Sequence, residues 1–314
     1  MRIEFDNLLL EGARNPQNID QNLKRLRELV VLKGLPQETP EERDRGDHEI
    51  TLRGKIWKIL LRVRKIDSQK YIEYVNKGPS LHDSIICLDA KRTLQNEPDF
   101  RRRVSNEKLI RLLNAWQHYL NDRGQDEGYV QGINCYAAPF LYVMPEVDAF
   151  FCLVKLMKWH CPLYLSTGAS NFPGLIKGVQ LFQEILHEMD PELGDHLKKQ
   201  PTETYAWEPI HSMNISLSPY TEWLQLWDMA ICLGIHLHLI FAVSRVLLIR
   251  EPLLAAENPN EYLSHKGFST LSFKAKTVIN VGMQIVRMLP ENLYTRVLYH
   301  PFHTEENDNL DIDT

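Results

Sequence analysis

Two short polar segments interrupt apolar sequence and carry side chains suited to phosphate chemistry. In residues 86–93, Asp89 and Arg92 are three positions apart, so a helical turn would pair their charges and fix the guanidinium. In residues 128–134, Gln131 precedes an apolar stretch. An arginine that neutralises γ-phosphate charge and a glutamine amide that orients water are the two groups that GTP hydrolysis needs from outside. A plain salt bridge and a helix-start amide capping its own backbone remain open alternatives.

The sequence has none of the short motifs by which a chain binds a nucleotide or a catalytic metal itself. It contains no GxxxxGK[ST], GxGxxG, HExxH or GxSxG pattern. Its five cysteines form no CxxC pair, which argues against zinc and against a disulfide framework. Buried free thiols in a reducing compartment are the simpler interpretation. We therefore expect no cofactor and no metal site in this chain.

Composition narrows the class of protein and of partner. The 314 residues are 44% hydrophobic and 25% charged, which excludes a disordered chain or a rod. The net charge of −5 gives no basic excess for binding nucleic acid. The acid-containing N-terminus does not resemble a secretory signal. Residues 229–249 are apolar but include Arg245, so we expect a buried core helix and no membrane span.

The elements that must position the two segments are helices, because apolar residues recur at helical spacing and alternating β-branched runs are scarce. Ser105 is a suitable N-cap for one of them. The pattern predicts helices over 15–34, 51–63, 67–77, 106–121, 129–143, 146–159, 173–189, 192–199, 203–213, 219–226, 229–250 and 269–288. We expect an all-α protein with an N-terminal helical extension (1–36), a charged linker (37–49), one large domain (50–300) and an acidic, disordered tail (301–314).

Four motifs occur in an order and spacing that resemble the TBC domain of Rab GTPase-activating proteins. They are Arg53-Gly54-x-x-Trp57, Ile86-x-x-Asp89-x-x-Arg92-Thr93, Tyr129-x-Gln131-Gly132-x-Asn134 and Leu226-Trp227-Asp228. The resemblance covers about 240 residues and implies a single, multi-helix TBC-type domain.

The resemblance also implies roles for individual residues. Arg92 and Gln131 would be the arginine and glutamine fingers, inserted in trans into a Rab/Ras-like small GTPase that carries the GTP and Mg²⁺. Asp89 would orient Arg92. The residues expected to shape the Gln131 turn are Tyr129, Gly132 and Asn134; those expected to be structural are Arg53, Trp57, Trp227 and Asp228.

Residues 92–105 narrow the resemblance to the small fungal TBC proteins of the mitotic-exit and septation checkpoint. That subgroup implies a second GAP subunit or scaffold, and a cytoplasmic location at the spindle pole body and cytoskeleton. Leu94-Gln95 replace the aromatic-Pro pair usual after Arg-Thr, and Glu127 replaces an aliphatic residue. Both departures bear on the breadth of GTPase recognition.

Two questions stay open at the level of sequence. The first is whether the chain is a GTPase activator or a catalytically idle TBC module that binds a GTPase or checkpoint partner as a scaffold; both fingers being present favours the activator. The second concerns the consecutive cations Arg101, Arg102 and Arg103. They form either a solvated face or a contact for an acidic surface that steers association.

Overall fold

The computed structural model describes residues 1–44, 46, 48–125, 128–165, 172–215, 219–264, 267 and 270–303. Within these residues there are nineteen α-helices and no strand, so the predicted all-α class is confirmed. The first nine are α1 Arg2–Arg14, α2 Ile19–Lys33, α3 Pro40–Arg43, α4 Leu52–Leu60, α5 Ser68–Asn76, α6 Asp83–Arg92, α7 Pro98–Arg103, α8 Asn106–Asn121 and α9 Ile133–Val143. The others are α10 Glu146–Trp159, α11 Pro173–Met189, α12 Pro191–Leu197, α13 Glu203–His211, α14 Tyr220–Leu233, α15 Leu237–Leu248, α16 Arg250–Ala255, α17 Asn260–Leu263, α18 Ala275–Met288 and α19 Glu291–Tyr299.

Three aromatic rings from distant helices meet at the centre of the core. Trp57 of α4 stacks on Trp227 of α14 with ring centroids 5.8 Å apart. Phe140 of α9 meets both indoles edge-on, at 6.0 and 5.8 Å. Edge-to-face and offset stacks of this kind add to the stabilisation that burial itself provides. The three contacts hold α4, α9 and α14 together.

The apolar run 229–249 is two helices and not the single one predicted. Gly234 has φ 137°, a backbone conformation outside the right-handed helical region, and it ends α14 at Leu233. The chain turns and α15 begins at Leu237. Both helices are buried, as expected, but the break limits the length of each. Among the described residues, no helix is both long enough and apolar enough to cross a membrane.

The charged segment 37–49 contains contacts that its composition did not predict. Thr39 and Glu42 form a capping box at the start of α3. Glu42 also accepts hydrogen bonds from Arg2 at 2.8 Å and from the Leu52 backbone N–H at 2.6 Å. Thus Glu42 ties α1 and the start of α4 to this segment, which we call the strap (residues 37–44). The predicted acidic tail lies outside the described residues from Thr304 onward.

Candidate functional site

Helix α6 positions Arg92 at its C-terminal end. Its buried face carries Ile86 and Ala90, and Asn114 of α8 holds its start by hydrogen bonds to Ser80 and Asp83, both 2.7 Å. Asp89, one helical turn before Arg92, is fully buried.

The guanidinium of Arg92 is tethered but accessible. Its Nη2 lies 2.6 Å from Asp89 Oδ1, while 54% of the Arg92 side chain remains exposed. The i, i+3 ion pair expected from the sequence is therefore present. It orients the guanidinium and leaves much of its surface available to a second molecule.

Gln131 lies in the turn before α9 and not within the helix, which begins four residues later than predicted. Its side chain is exposed. Gly132 follows with φ 106°, in the left-handed region that a glycine adopts without steric cost. A Cβ built on Gly132 would lie 2.0 Å from His211 Cε1, so the turn sits directly on the ring of His211.

Two hydrogen bonds join the Gln131 turn to the end of α6. The Tyr129 hydroxyl donates to Asp89 Oδ2 at 3.0 Å, and Asn134 Nδ2 donates to Thr93 Oγ1 at 2.8 Å. Burial, and then the charge of Asp89, raise the pKa of Tyr129, so the phenol remains a donor. Tyr129 and Asn134 thus link the Gln131 turn to the Arg92 helix, which their position in the sequence did not reveal.

Arg92 and Gln131 line the same open groove, which has a volume of about 740 Å³. Another wall of the groove comes from α13, which contributes Trp207, Glu208 and His211. Sequence reasoning missed this wall; the only signal was a tryptophan, an acid and a histidine within five positions of a predicted helix.

His211 supports the groove from beneath the Gln131 turn. Its ring hydrogen-bonds the backbone of Gln131, and burial lowers the pKa of the imidazole below its usual range. The ring also packs 5.8 Å from that of Trp207. A neutral, packed imidazole provides a rigid floor for the turn.

The remaining motif residues form a buried group away from the groove. Arg53 Nε donates to Asp228 Oδ1 at 2.9 Å, and Trp57 Nε1 donates to the same oxygen at 2.8 Å. Trp227 Nε1 donates to the Met213 carbonyl at 3.1 Å. The two contacts with Asp228 join α4 to α14, and the third joins α14 to the turn after α13.

The three consecutive arginines do not form one exposed basic face, whether solvated or bound to a partner, and a contact with an acidic surface stays a prediction for Arg102 alone. Arg103 is only 8% exposed, pairs with Glu38 at 2.8 Å and lies over the Tyr142 ring. Arg101 donates to the carbonyls of Ala90 and Lys91. Arg102 alone points outward, 65% exposed and paired with Asp99. The helical turn of α7 separates side chains that are adjacent in sequence.

Comparison with known proteins finds one family model and several relatives that cover most of this chain. Residues 50–254 match the family described as Rab-GTPase-TBC domain. Cell division control protein 16 of Schizosaccharomyces pombe is 32% identical over 96% of this chain and 95% of its own length. Mitotic check point protein BUB2 of Saccharomyces cerevisiae is 28% identical over 91% and 94%. A Dictyostelium discoideum relative bearing the BUB2 name is 38% identical over the whole chain and 84% of its own length.

Two solved structures share the fold. One is the Chlamydomonas flagellar RabGAP TBC domain, with a TM-score of 0.55 and 16% identity over 94% of this chain and 95% of that one. The other is the Ypt/Rab-GAP domain of Gyp1p, with a TM-score of 0.59 and 14% identity over 88% and 93%.

Proposed function

Because the chain belongs to the Rab-GTPase-TBC domain family, we propose that it accelerates GTP hydrolysis by a small GTPase of the Rab or Ras type. The observation that carries the proposal is the shared groove, which an exposed arginine and an exposed glutamine both line. The two segments that carry them are joined by two hydrogen bonds between neighbouring residues. The GTPase would bring GTP and Mg²⁺, and this chain would supply only side chains.

In this mechanism Arg92 and Gln131 perform separate tasks. The Arg92 guanidinium enters the partner's site and spreads positive charge over the transferring γ-phosphoryl group. The Gln131 amide orients the attacking water. Asp89 acts as a positioning residue, because its buried carboxylate holds the guanidinium before the GTPase arrives. Preorganisation of this kind avoids reordering a long side chain during the reaction.

The named relatives support a place in cell-cycle control. Proteins named for a mitotic check point and for cell division control align with nearly the whole chain. We infer that this protein restrains mitotic exit or septation, working with a second GAP subunit at the spindle pole body. Leu94 and Gln95, which replace the residues usual after Arg-Thr, line the groove. They therefore bear on which GTPase the groove accepts.

Single-turnover GTP hydrolysis tests the proposal on a panel of small GTPases, with and without a candidate second subunit. Arg92→Ala should lower the stimulated rate by about 10³-fold or more and leave GTPase binding intact. Arg102→Ala is the matched control, since Arg102 is also exposed and pairs with an aspartate three residues earlier. At a saturating concentration this variant should stimulate hydrolysis by the GTPase to the parental rate.

The rival function is a catalytically idle TBC module that binds a GTPase or a checkpoint partner as a scaffold. The Arg92–Asp89 ion pair is compatible with this function, since a purely structural salt bridge would have the same geometry. In that case Arg92→Ala lowers the melting temperature and leaves hydrolysis unchanged. GTPase binding without stimulation by the parental chain, both alone and with the second subunit, would also establish the scaffold.

A further inference from the structure

Five basic side chains from three segments of the chain lie close to one another. They are Arg27 of α2, Arg62 and Arg64 in the segment after α4, and Lys155 and Lys158 of α10; we call them the basic cluster. Within the described residues none of the five forms an ion pair, and the Nε of Arg27 is buried without a hydrogen-bond partner. Other cations nearby are paired, as Lys58 is with Asp148 at 2.5 Å.

The charges of the cluster are close enough to affect one another. Burial, together with the charges of Arg62, Lys158 and Arg64, lowers the pKa of Lys155. Burial, followed by Lys155, Arg27 and Arg62, lowers the pKa of His160 to about 4. The repulsion between these like charges decreases when an anion binds among them. Arg62 is also held at φ 57°, a conformation that costs a non-glycine residue free energy.

Apolar surface lies within and beside the cluster. Trp159 is 60% exposed, and the ammonium groups of Lys155 and Lys158 lie 4.8 and 5.3 Å from its ring centroid. A groove of about 530 Å³ runs along α2 past Leu32 and Leu233, with Arg27 and Arg62 among its lining residues. Two carboxylates, Asp20 and Glu28, line the same groove without pairing with the cluster. The surface thus suits a ligand that is acidic and partly apolar.

The described residues end near this face. The Leu163 backbone N–H donates to the Pro301 carbonyl at 3.0 Å, which fixes the end of the described chain beside the residues that follow α10. Leu163 is four residues after Trp159, so their Cα atoms are at most about 15 Å apart. Residues 304–314, TEENDNLDIDT, contain five acids, two large apolar residues and no base. Eleven extended residues span roughly 36–40 Å, which is more than twice the largest possible separation of Leu163 from Trp159.

We propose that residues 304–314 dock in cis on the basic cluster, with their carboxylates against the five cations and Leu310 and Ile312 against the apolar surface. Charge complementarity and the anchored start of the segment favour this occupant over a second protein. A tethered segment also has a high effective concentration, so individually weak ion pairs suffice for docking. An acidic partner would then have to displace residues 304–314 before it could bind this face.

Carbodiimide coupling of the full chain, followed by peptide mass spectrometry, tests the proposal without reference to GTP hydrolysis. At low salt we expect amide links from carboxylates of residues 305–313 to Lys155 or Lys158. These links should fall at least fivefold in 1 M salt, where the screening length is only about 3 Å. The double variant Arg62→Gln/Arg64→Gln keeps both lysines as targets and should lower their coupling at least threefold.

The controls separate docking in cis from the other occupants. Lys198, exposed and paired with Asp195, should not couple to residues 305–313. Equal coupling to Lys198, or no loss in the double variant, would overturn the proposal. Links between isotopically labelled and unlabelled chains would assign the face to a second copy. Absent links together with co-sedimentation on phosphatidylserine vesicles would assign it to a membrane surface.

Discussion

Gly132 packs against His211 in the Gln131 turn, and it gives the sharpest prediction at the residue scale. Gly132→Ala places a methyl group against His211 and forces alanine into a left-handed conformation. We expect a loss of about 2–4 kcal/mol in the free energy of unfolding, from strain and overpacking together. Stimulated hydrolysis should fall at least tenfold, as measured in the single-turnover assay.

Gly128→Ala is the matched control for that change. Gly128 has φ 112°, but a Cβ there would meet no atom within 4 Å. The control therefore carries backbone strain of about 1–2 kcal/mol without the clash. If both variants lose stability and activity equally, the contact between Gly132 and His211 does not position Gln131.

Gln131 separates the two-finger mechanism from a single-finger one. We expect Gln131→Ala to lower stimulated hydrolysis about as much as Arg92→Ala, and the double variant to be little worse, because groups that act as a unit are not additive. Stimulation should persist on a GTPase whose own water-orienting glutamine is replaced. If the GTPase's own glutamine is essential and Gln131 is dispensable, the chain is still a GTPase activator, but Gln131 is not a glutamine finger.

The candidate site was only partly predictable at this scale. The Asp89–Arg92 pair follows from a spacing of three, which a helix converts directly into proximity. The hydrogen bond between Tyr129 and Asp89 spans 40 residues, and the Asn134–Thr93 bond spans 41. No local periodicity encodes such contacts, because tertiary packing creates them.

At the scale of elements, the strap gives a pH-dependent prediction through Glu42. Hydrogen bonds from Arg2, Leu52 and Thr39 outweigh burial and lower the pKa of Glu42 to about 2. A carboxylate with a depressed folded-state pKa stabilises the fold above its unfolded pKa near 4.5, and this stabilisation is lost as the pH falls towards 2. Glu42→Gln should therefore cost about 1–2 kcal/mol at pH 7 and progressively less below pH 4.5.

Urea unfolding across this pH range measures the effect. Asp44→Asn, which removes an exposed acid in the same strap, provides the control and should change the free energy of unfolding by no more than about 0.5 kcal/mol at pH 7. A constant difference between Glu42→Gln and the parent from pH 7 to pH 3 would contradict the role of the carboxylate.

Helices with strong local signals were predicted closely, and the others were not. The helix over 106–121 matches α8, and the Ser105 side chain accepts from the Lys108 N–H as an N-cap should. The run 229–250 fails because the apolar pattern continues through Gly234, where the backbone leaves the helix. Helix α7 was missed, since six residues with three arginines carry too little periodicity.

At the scale of the whole molecule, the buried ion pair between Arg53 and Asp228 joins two helices that are far apart in the sequence. Asp228→Ala would leave the Arg53 guanidinium buried without its carboxylate, and Trp57 without its acceptor. We expect a loss of about 3–5 kcal/mol in the free energy of unfolding. Asp148→Ala, which removes the partly exposed partner of Lys58, should cost no more than about 1 kcal/mol. Similar losses in the two variants would show that the Arg53 pair adds nothing beyond a surface contact.

The Arg53–Asp228 pair also sets a minimum delay before α4 can be buried while the chain is being synthesised. The two residues are 175 positions apart. A ribosome adds about 5–20 residues per second, so roughly 9–35 s pass between the appearance of the arginine and that of its carboxylate. During that interval α4 carries a cation and an indole that have nowhere to be buried. The N-terminal third of the chain therefore cannot complete its fold as it emerges. For that time it depends on cellular factors that prevent incomplete chains from aggregating.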